Sequence, residues 1–495
     1  MSFRKLVIGA LIVLLVAVNL CLNSYRLSEE LTEVPLSDFN LEFANLVADL
    51  KSWPIGYLVA DPCDLSSMER DRIIRMNWEL CPRVVTPVPK DTYAEWRGGL
   101  VTASRMTDEA EDAFEESGFM TLAHNEGAAL RSRFEVVAEP RDSTPENHAT
   151  MRGWLGIVFT LAVIGWIFFL VFRVSSFSGW QLALAAFVLV LLGWIALQIG
   201  LTPPNGLAVY GGKARMFLLN HGVPKGYWRD VAYAVYQPSY PPLMTFASWL
   251  ALLIGGVENV YWMPLMVPSV LALVFLAMCK QRSAASVLLA FTFISLPVAQ
   301  EMAIGFYAEP LCVLFLLGGV AMIQRNRSAG WLVLGCAGLV RHEGLMIAVL
   351  ISCFSRMLGY RFRMRQVLLA ALPGVLWQLW LMGVNCSVQG FDFSAWPSLT
   401  RVTMAVYSFY HSLSCPIGVG AVCWIMVLIM LLNRQFGRLA GFFAFVFVGI
   451  TLMAIGLACS KTAHYDWMLA NLSDRCLWLL LAVPFYNLLK CDNMI

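Results

Sequence analysis

The stretch SAGWLVLGCAGLVRHEGLMIAVLISCFS, residues 328–355, sits between Arg327 and Arg356 and decides how the rest of the chain is read. Basic side chains are retained on the cytoplasmic side of a bilayer, so two basic flanks require an even number of crossings between them. Only 28 residues are available. At 1.5 Å per residue that is too short for two full spans of about 20 residues each. The segment is therefore expected to go out and return as a broken pair of helices, with Arg341-His342-Glu343-Gly344 at its apex. A straight span would place three ionisable side chains in hydrocarbon at a cost of several kcal/mol.

The same parity argument orders the remaining chain. Basic clusters at Arg173, Lys280/Arg282, Arg325/Arg327, Arg356 to Arg365, Arg434/Arg438 and Lys490 punctuate the apolar runs and are placed inside. Residues 202–259 then lie outside, Trp262 to Met278 crosses, and Pro241 to Gly256 runs along the interface. Ser283 to Pro297 goes out and Ala308 to Ile323 returns, which puts Gln300, Glu301 and Glu309 at the outer face. Further crossings are expected at Gln366–Gly383, His411–Leu432, Leu439–Cys459 and Cys476–Leu489, with outer loops at Asn385–Tyr410 and Ser460–Arg475.

Composition agrees. Of 495 residues 59% are hydrophobic and 14% charged, against roughly 25% charged in an ordinary soluble domain. A soluble enzyme is excluded, and the reading is a polytopic α-helical membrane protein with about twelve crossings. Charge is divided unevenly. Residues 23–150 hold 12 basic and 24 acidic residues, a formal charge of −12, while the remainder holds 23 basic and 9 acidic, or +14. The acidic stretch is the size of one small domain, and its negative charge argues against nucleic acid as a partner.

Five units follow: a transmembrane anchor at 1–23, an extracytoplasmic acidic α/β domain at 24–150, two transmembrane helices at 151–201, an outer loop at 202–260 and the remaining bundle at 261–495. In the acidic domain strands are expected at Pro54–Ala60, Arg83–Val88, Gly99–Ala103, Gly118–His124 and Ala128–Val137, with helices at Ser66–Leu80 and Thr107–Ser117. Cys63 and Cys81 either form a bridge or remain free thiols. Most of the other cysteines sit in apolar runs and act as small hydrophobes.

Eight of the nine carboxylates after residue 201 fall on the outer side. They are accompanied there by Lys213, Arg215, Arg341, His342, His464 and Arg475. A cation-lined site at the external surface suits an anionic lipid headgroup. The loop NGLAVYGGKARMFLLNHGVPKGYWRDVAYAVYQPSYPP, residues 205–242, is too patterned for a plain linker. Gly211-Gly212 before Lys213 and Arg215 either admits a phosphate or begins an interfacial helix.

Four features in order resemble GT-C glycosyltransferases, the multi-spanning family that includes the protein O-mannosyltransferases and the lipid A aminoarabinose transferase. They are Ser239-Tyr240-Pro241-Pro242-Leu243 closing a long outer loop, Tyr307-Ala308-Glu309-Pro310-Leu311 opening a span, Gly338 to Gly344 in the broken pair, and Arg475 before the last span. The resemblance implies transfer of a sugar from a polyprenyl-phosphate donor to a glycan, lipid or protein acceptor at the extracytoplasmic face, as in the bacterial inner membrane. Such a reaction needs a base for the acceptor hydroxyl and cations for the departing phosphate. Lys213, Arg215, Arg341 and Arg475 are the phosphate candidates. Asp230 or Glu309, with Glu343 as a further acid, would serve as base or hold a divalent metal. Asn205, Tyr240, His342 and His464 complete the expected binding set.

The chain departs from the family by carrying Asn205 where an early-loop acid is usual, and a neutral amide cannot accept a proton. A non-catalytic chain that binds or presents a lipid-linked sugar is the alternative. A transporter would require broken helices in corresponding halves, and one broken pair is found. Sidedness is directly testable: a membrane-impermeant thiol reagent should label a cysteine placed at Val223 in intact cells and should not label one at Arg361, and the opposite pattern overturns the topology.

Overall fold

The structure is a computed structural model. It describes five short strands between residues 55 and 132, by backbone alone, and residues 151–489 with short breaks. The expected anchor, Cys63, Cys81 and the helices expected at 66–80 and 107–117 lie outside the described residues.

The strands are β1 (Ile55–Leu58), β2 (Val85–Val88), β3 (Gly99–Ala103), β4 (Met120–His124) and β5 (Ala128–Ser132), in the spatial order β2-β1-β3-β5-β4. β1 is parallel to both β2 and β3, with Ile55 opposite Val85 and Gly99. β5 is antiparallel to β3 and β4.

The rest is mostly helical. Helices α1 (Met151–Phe172) and α2 (Gly179–Ile199) are followed by a π-helical turn at Asn205–Tyr210, then α3 (Gly211–Leu219) and α4 (Leu243–Gly255). Next come α5 (Met266–Met278), α6 (Ala284–Ile294), α7 (Pro297–Ile304), α8 (Glu309–Ile323), α9 (Ala329–Gly335) and α10 (His342–Cys353). The chain continues through α11 (Met364–Gly383), α12 (Leu399–Ser414), α13 (Val419–Leu432), α14 (Phe436–Ala458) and α15 (Tyr465–Leu489).

Among the described residues four helices are long and apolar enough to cross a membrane: α2, α11, α14 and the Leu472–Leu489 part of α15. The number rises to six if the bent pairs α6/α7 and α12/α13 each form one span, and the other apolar helices have 10–17 residues. The outward faces of the long helices carry large apolar side chains, such as Val190 and Trp194 on α2, Leu368 and Met382 on α11 and Phe447 on α14. Such contiguous outward apolar faces suit lipid as the solvent. Several hydroxyls inside the helices turn back on their own backbone, Thr160 to Gly156 O, Ser269 to Leu265 O, Ser352 to Ala348 O and Thr451 to Phe447 O. That satisfies them where water is absent.

The centre of the bundle is α8, which packs against α1, α5, α9 and α15. The broken pair forms at the expected place. α9 runs into a 3₁₀ turn at Cys336–Leu339, the chain breaks at Val340–Arg341, and α10 begins at His342. Arg341 is extended, with φ −146° and ψ 147°, as the residue preceding α10. Gly344 makes the break compact, since a Cβ there would lie 2.2 Å from the Ala337 carbonyl oxygen.

The structure adds helices at three expected connections. α6 ends at Ile294 and the chain bends by 56° into α7 at Pro297, so Gln300 and Glu301 lie on a short helix. Pro297 lacks an N–H and opens the new helix after an extended Leu296. The loop expected at Asn385–Tyr410 contains most of α12. The loop expected at Ser460–Arg475 is helical from Tyr465, because α15 starts ten residues before Arg475.

Gly344→Val should lower thermal stability in detergent by about 1–3 kcal/mol or more, the usual cost of overpacking against backbone. Gly383→Ala, where nothing lies within 4 Å of an added Cβ, should leave it within about 0.5 kcal/mol.

Candidate functional site

The N-termini of α8 and α10 meet the side of α15, and four ionised side chains converge there. Glu309 occupies the first turn of α8 and Glu343 the first turn of α10, where helix dipoles favour negative charge. Arg341 Nη1 and Arg475 Nη1 each lie 3.4 Å from Glu309 Oε1. Arg341 also grips Glu343 with two donors, Nε to Oε2 at 3.2 Å and Nη2 to Oε1 at 3.0 Å. Relative exposure is 0% for Glu309, 3% for Arg341 and 7% for both Glu343 and Arg475.

Two cations and two anions balance. Charges this deeply buried persist only when paired and hydrogen-bonded. The pairing is incomplete at one atom: Glu309 Oε2 is buried and has no hydrogen-bond partner among the described residues. An unsatisfied buried carboxylate oxygen is costly.

Aromatic rings wall the quartet. The Arg475 guanidinium lies 4.5 Å from the Tyr307 ring centroid, and Arg341 lies 5.6 Å from that of Tyr240. Cation–π contacts of this kind strengthen when desolvated. Tyr210, fully buried at the end of the π-helical turn, interacts electrostatically with Arg341 and Glu309 and packs edge-on against Tyr240 with centroids 6.5 Å apart. Phe306 sets this geometry up. It is a buried non-glycine residue with φ 60°, which turns the chain between α7 and α8 immediately before Tyr307 and Glu309. Such conformations persist where surrounding packing enforces them.

His342 stands beside the quartet, edge-on to Tyr240 at 5.7 Å, with Nδ1 3.2 Å from Gln378 Nε2 on α11. With Gln378 donating, the imidazole proton sits on Nε2. Lys213 is buried on α3, and its Nζ donates to the Gln237 carbonyl at 3.1 Å. Burial pushes its ammonium down to about 7, with Cys386 nearby acting weakly the other way.

The expected residues therefore divide. Glu309, Arg341, Glu343 and Arg475 form one cluster, with Tyr240 and His342 against it. Glu343 is the bidentate partner of Arg341, and both of its oxygens already accept hydrogen bonds. Gly211 is used for packing: a Cβ there would lie 2.2 Å from the Gly206 carbonyl oxygen. Arg215 is on the same helix as Lys213 and half-buried. Asp230 and His464 lie outside the described residues, and Asn205 is described by its backbone only, in the π-helical turn.

Tyr210, Tyr307, Trp377 and Gln378 were not among the expected site residues. For Gln378 the available signal was an amide in the middle of a predicted span. Among the described residues no three His, Cys, Asp or Glu side chains converge as a metal site. Glu309 and Glu343 instead face each other across the Arg341 guanidinium, which supplies the positive charge between them.

The Lys213 ammonium loses its proton in the folded chain near pH 7, against 10.5 ordinarily. Between those values the unfolded chain binds the extra proton, so this group makes stability rise with pH across that window. Thermal unfolding in detergent at pH 7 and pH 9.5 should show a smaller gain in Lys213→Met than in the parent chain. No family model, curated protein or solved structure matches this chain.

Proposed function

We propose that the chain is a membrane glycosyltransferase of the GT-C type. It takes a sugar from a polyprenyl-phosphate donor and passes it to an acceptor hydroxyl at the extracytoplasmic face of a bacterial inner membrane. This reading includes the twelve crossings, with the short apolar helices counted among them, and an extracytoplasmic α/β domain between the first two. The observation that carries it is Glu309 Oε2, a buried carboxylate oxygen without a hydrogen-bond partner among the described residues, beside two arginines.

In this reading the acceptor oxygen attacks the anomeric carbon and its proton passes to Glu309 Oε2 or to Asp230. The bond from the anomeric carbon to the phosphate oxygen breaks, and the phosphate leaves towards Arg475 and Arg341. A positioned base is worth about 10² to 10⁴ in rate. Arg341 is shared between Glu309 and Glu343, so binding a phosphate means loosening one of those pairs.

A second reading, binding or presenting the lipid-linked sugar without transfer, is favoured by Asn205 and by the charge balance of the quartet. The two are separated by purified, lipid-reconstituted protein given a panel of polyprenyl-phosphate sugars, with and without divalent metal. Release of polyprenyl phosphate that falls about 10² to 10⁴ in Glu309→Gln, with donor binding retained, supports the transferase. Tight binding without turnover under every condition supports presentation, and absence of both reopens the transporter. Asp230→Asn is measured beside it. Arg341→Ala is a poor test, because stripping a buried pair of one partner costs about 3–5 kcal/mol of stability.

A further inference from the structure

The quartet is sealed. None of its members is more than 7% exposed, so no phosphate or sugar reaches Glu309 Oε2 in this conformation. Part of the seal is a short non-helical segment, Gln237-Pro238-Ser239-Tyr240-Pro241-Pro242, that leads into α4. Its Tyr240 is partly exposed, whereas Arg341, 5.6 Å from the ring centroid, is buried. Tyr240 is therefore the outward layer over the ion cluster.

The segment is held by side chains from elsewhere. Lys213 Nζ on α3 donates to the Gln237 carbonyl at 3.1 Å, and Trp377 Nε1 on α11 donates to the Ser239 carbonyl at 3.3 Å. A single turn bond, Tyr240 N to Gln237 O at 3.0 Å, links the segment to itself. Gln237 has φ 45° without being glycine, a strained conformation that needs outside support. Three prolines stiffen the segment and remove three N–H donors, so it can swing as one piece once the two carbonyls are released.

We infer that residues 237–242 are a gate over the Glu309–Arg341 pair, latched shut by Lys213 and Trp377, and that Lys213 is a positioning residue acting through Tyr240. The gate rests on the reading that the quartet is the reacting site; the latch is tested without any substrate. Lys213 gives the latch a pH dependence. Its ammonium is held down to about 7 while the segment covers it, against 10.5 when exposed, so opening takes up a proton and the closed form is favoured as pH rises above about 7. The Cys386 thiol and the His342 imidazole are the described titratable groups that interact with it.

The experiment places a cysteine at the buried Ser239 position and follows maleimide labelling at peptide level in lipid nanodiscs. Ser239→Cys alone is compared with the same chain carrying Lys213→Met, Lys213→Arg or Trp377→Phe. Lys213→Met and Trp377→Phe should each speed labelling about tenfold or more, the effect of losing one hydrogen bond that holds the closed form, while Lys213→Arg should stay nearer the parent. The ratio of the Lys213→Met rate to the parent rate should rise as pH goes from 6 to 8.5, because the closed parent binds fewer protons than the opened one, a comparison in which thiol ionisation cancels; a ratio that falls or stays flat removes the pH dependence from the latch.

Equal rates in all four chains overturn the latch. So does a parallel rise at Cys476, which is buried beside the quartet, because that reports general unfolding. Loss of the transferase reading with this labelling pattern intact would leave the latch standing, and transfer without the pattern would remove the latch alone.

Discussion

A carboxylate held between two guanidiniums inside protein is the constraint on which the rest of this structure depends. Glu309 has no exposed surface, and a lone buried charge costs far more than any helix contact returns. It is therefore tied to Arg341 and Arg475, and Arg341 in turn needs Glu343. These four residues bind α8, α10 and α15, whose contributions lie up to 166 positions apart in the chain. The break before α10 follows from the same requirement. An extended Arg341 outside the helix can reach an acid on its own helix and another on α8 at once.

Charge balance has a functional consequence. A quartet that neutralises itself attracts a phosphate less strongly than its two cations would alone, so in the proposed reading specificity for an anionic headgroup would come from rearrangement within the quartet. Glu309 Oε2, without a hydrogen-bond partner among the described residues, and the short segment 237–242 beside the quartet are the two places where the proposed reading puts that rearrangement. Strained backbone sits at both: Phe306 precedes Glu309 by three residues, and Gln237 precedes Tyr240 by three. Lys213 and Gly211, which in the bare sequence look like a phosphate cradle, have structural employment here, one on the Gln237 carbonyl and the other against the Gly206 carbonyl.

Much of the architecture was legible because it depends on one-dimensional quantities. Apolar run length locates α1, α2, α11 and α14, and parity between basic clusters locates the broken pair to within a residue or two. Two helices were missed for a common reason. α12 alternates Thr, Arg, Ser and His with Tyr, Val and Leu, so its average polarity resembles a loop although its faces are separated. The start of α15 carries Asp466, Asp474 and Arg475, and a linear reading cannot know that Arg475 will be neutralised by Glu309 on another helix.

The sequence by itself determined that this is a membrane-type chain, with an acidic segment near its start and a cluster of ionisable residues at a helix break, because hydropathy, charge sign and spacing are local properties. Which arginine meets which glutamate, that Tyr210 and Tyr307 line the cluster, and that Trp377 and Lys213 hold a proline-rich segment over it were decided only by the tertiary structure. Those facts are distances between residues far apart in the chain, set by how the helices pack around α8, and composition and periodicity do not record them.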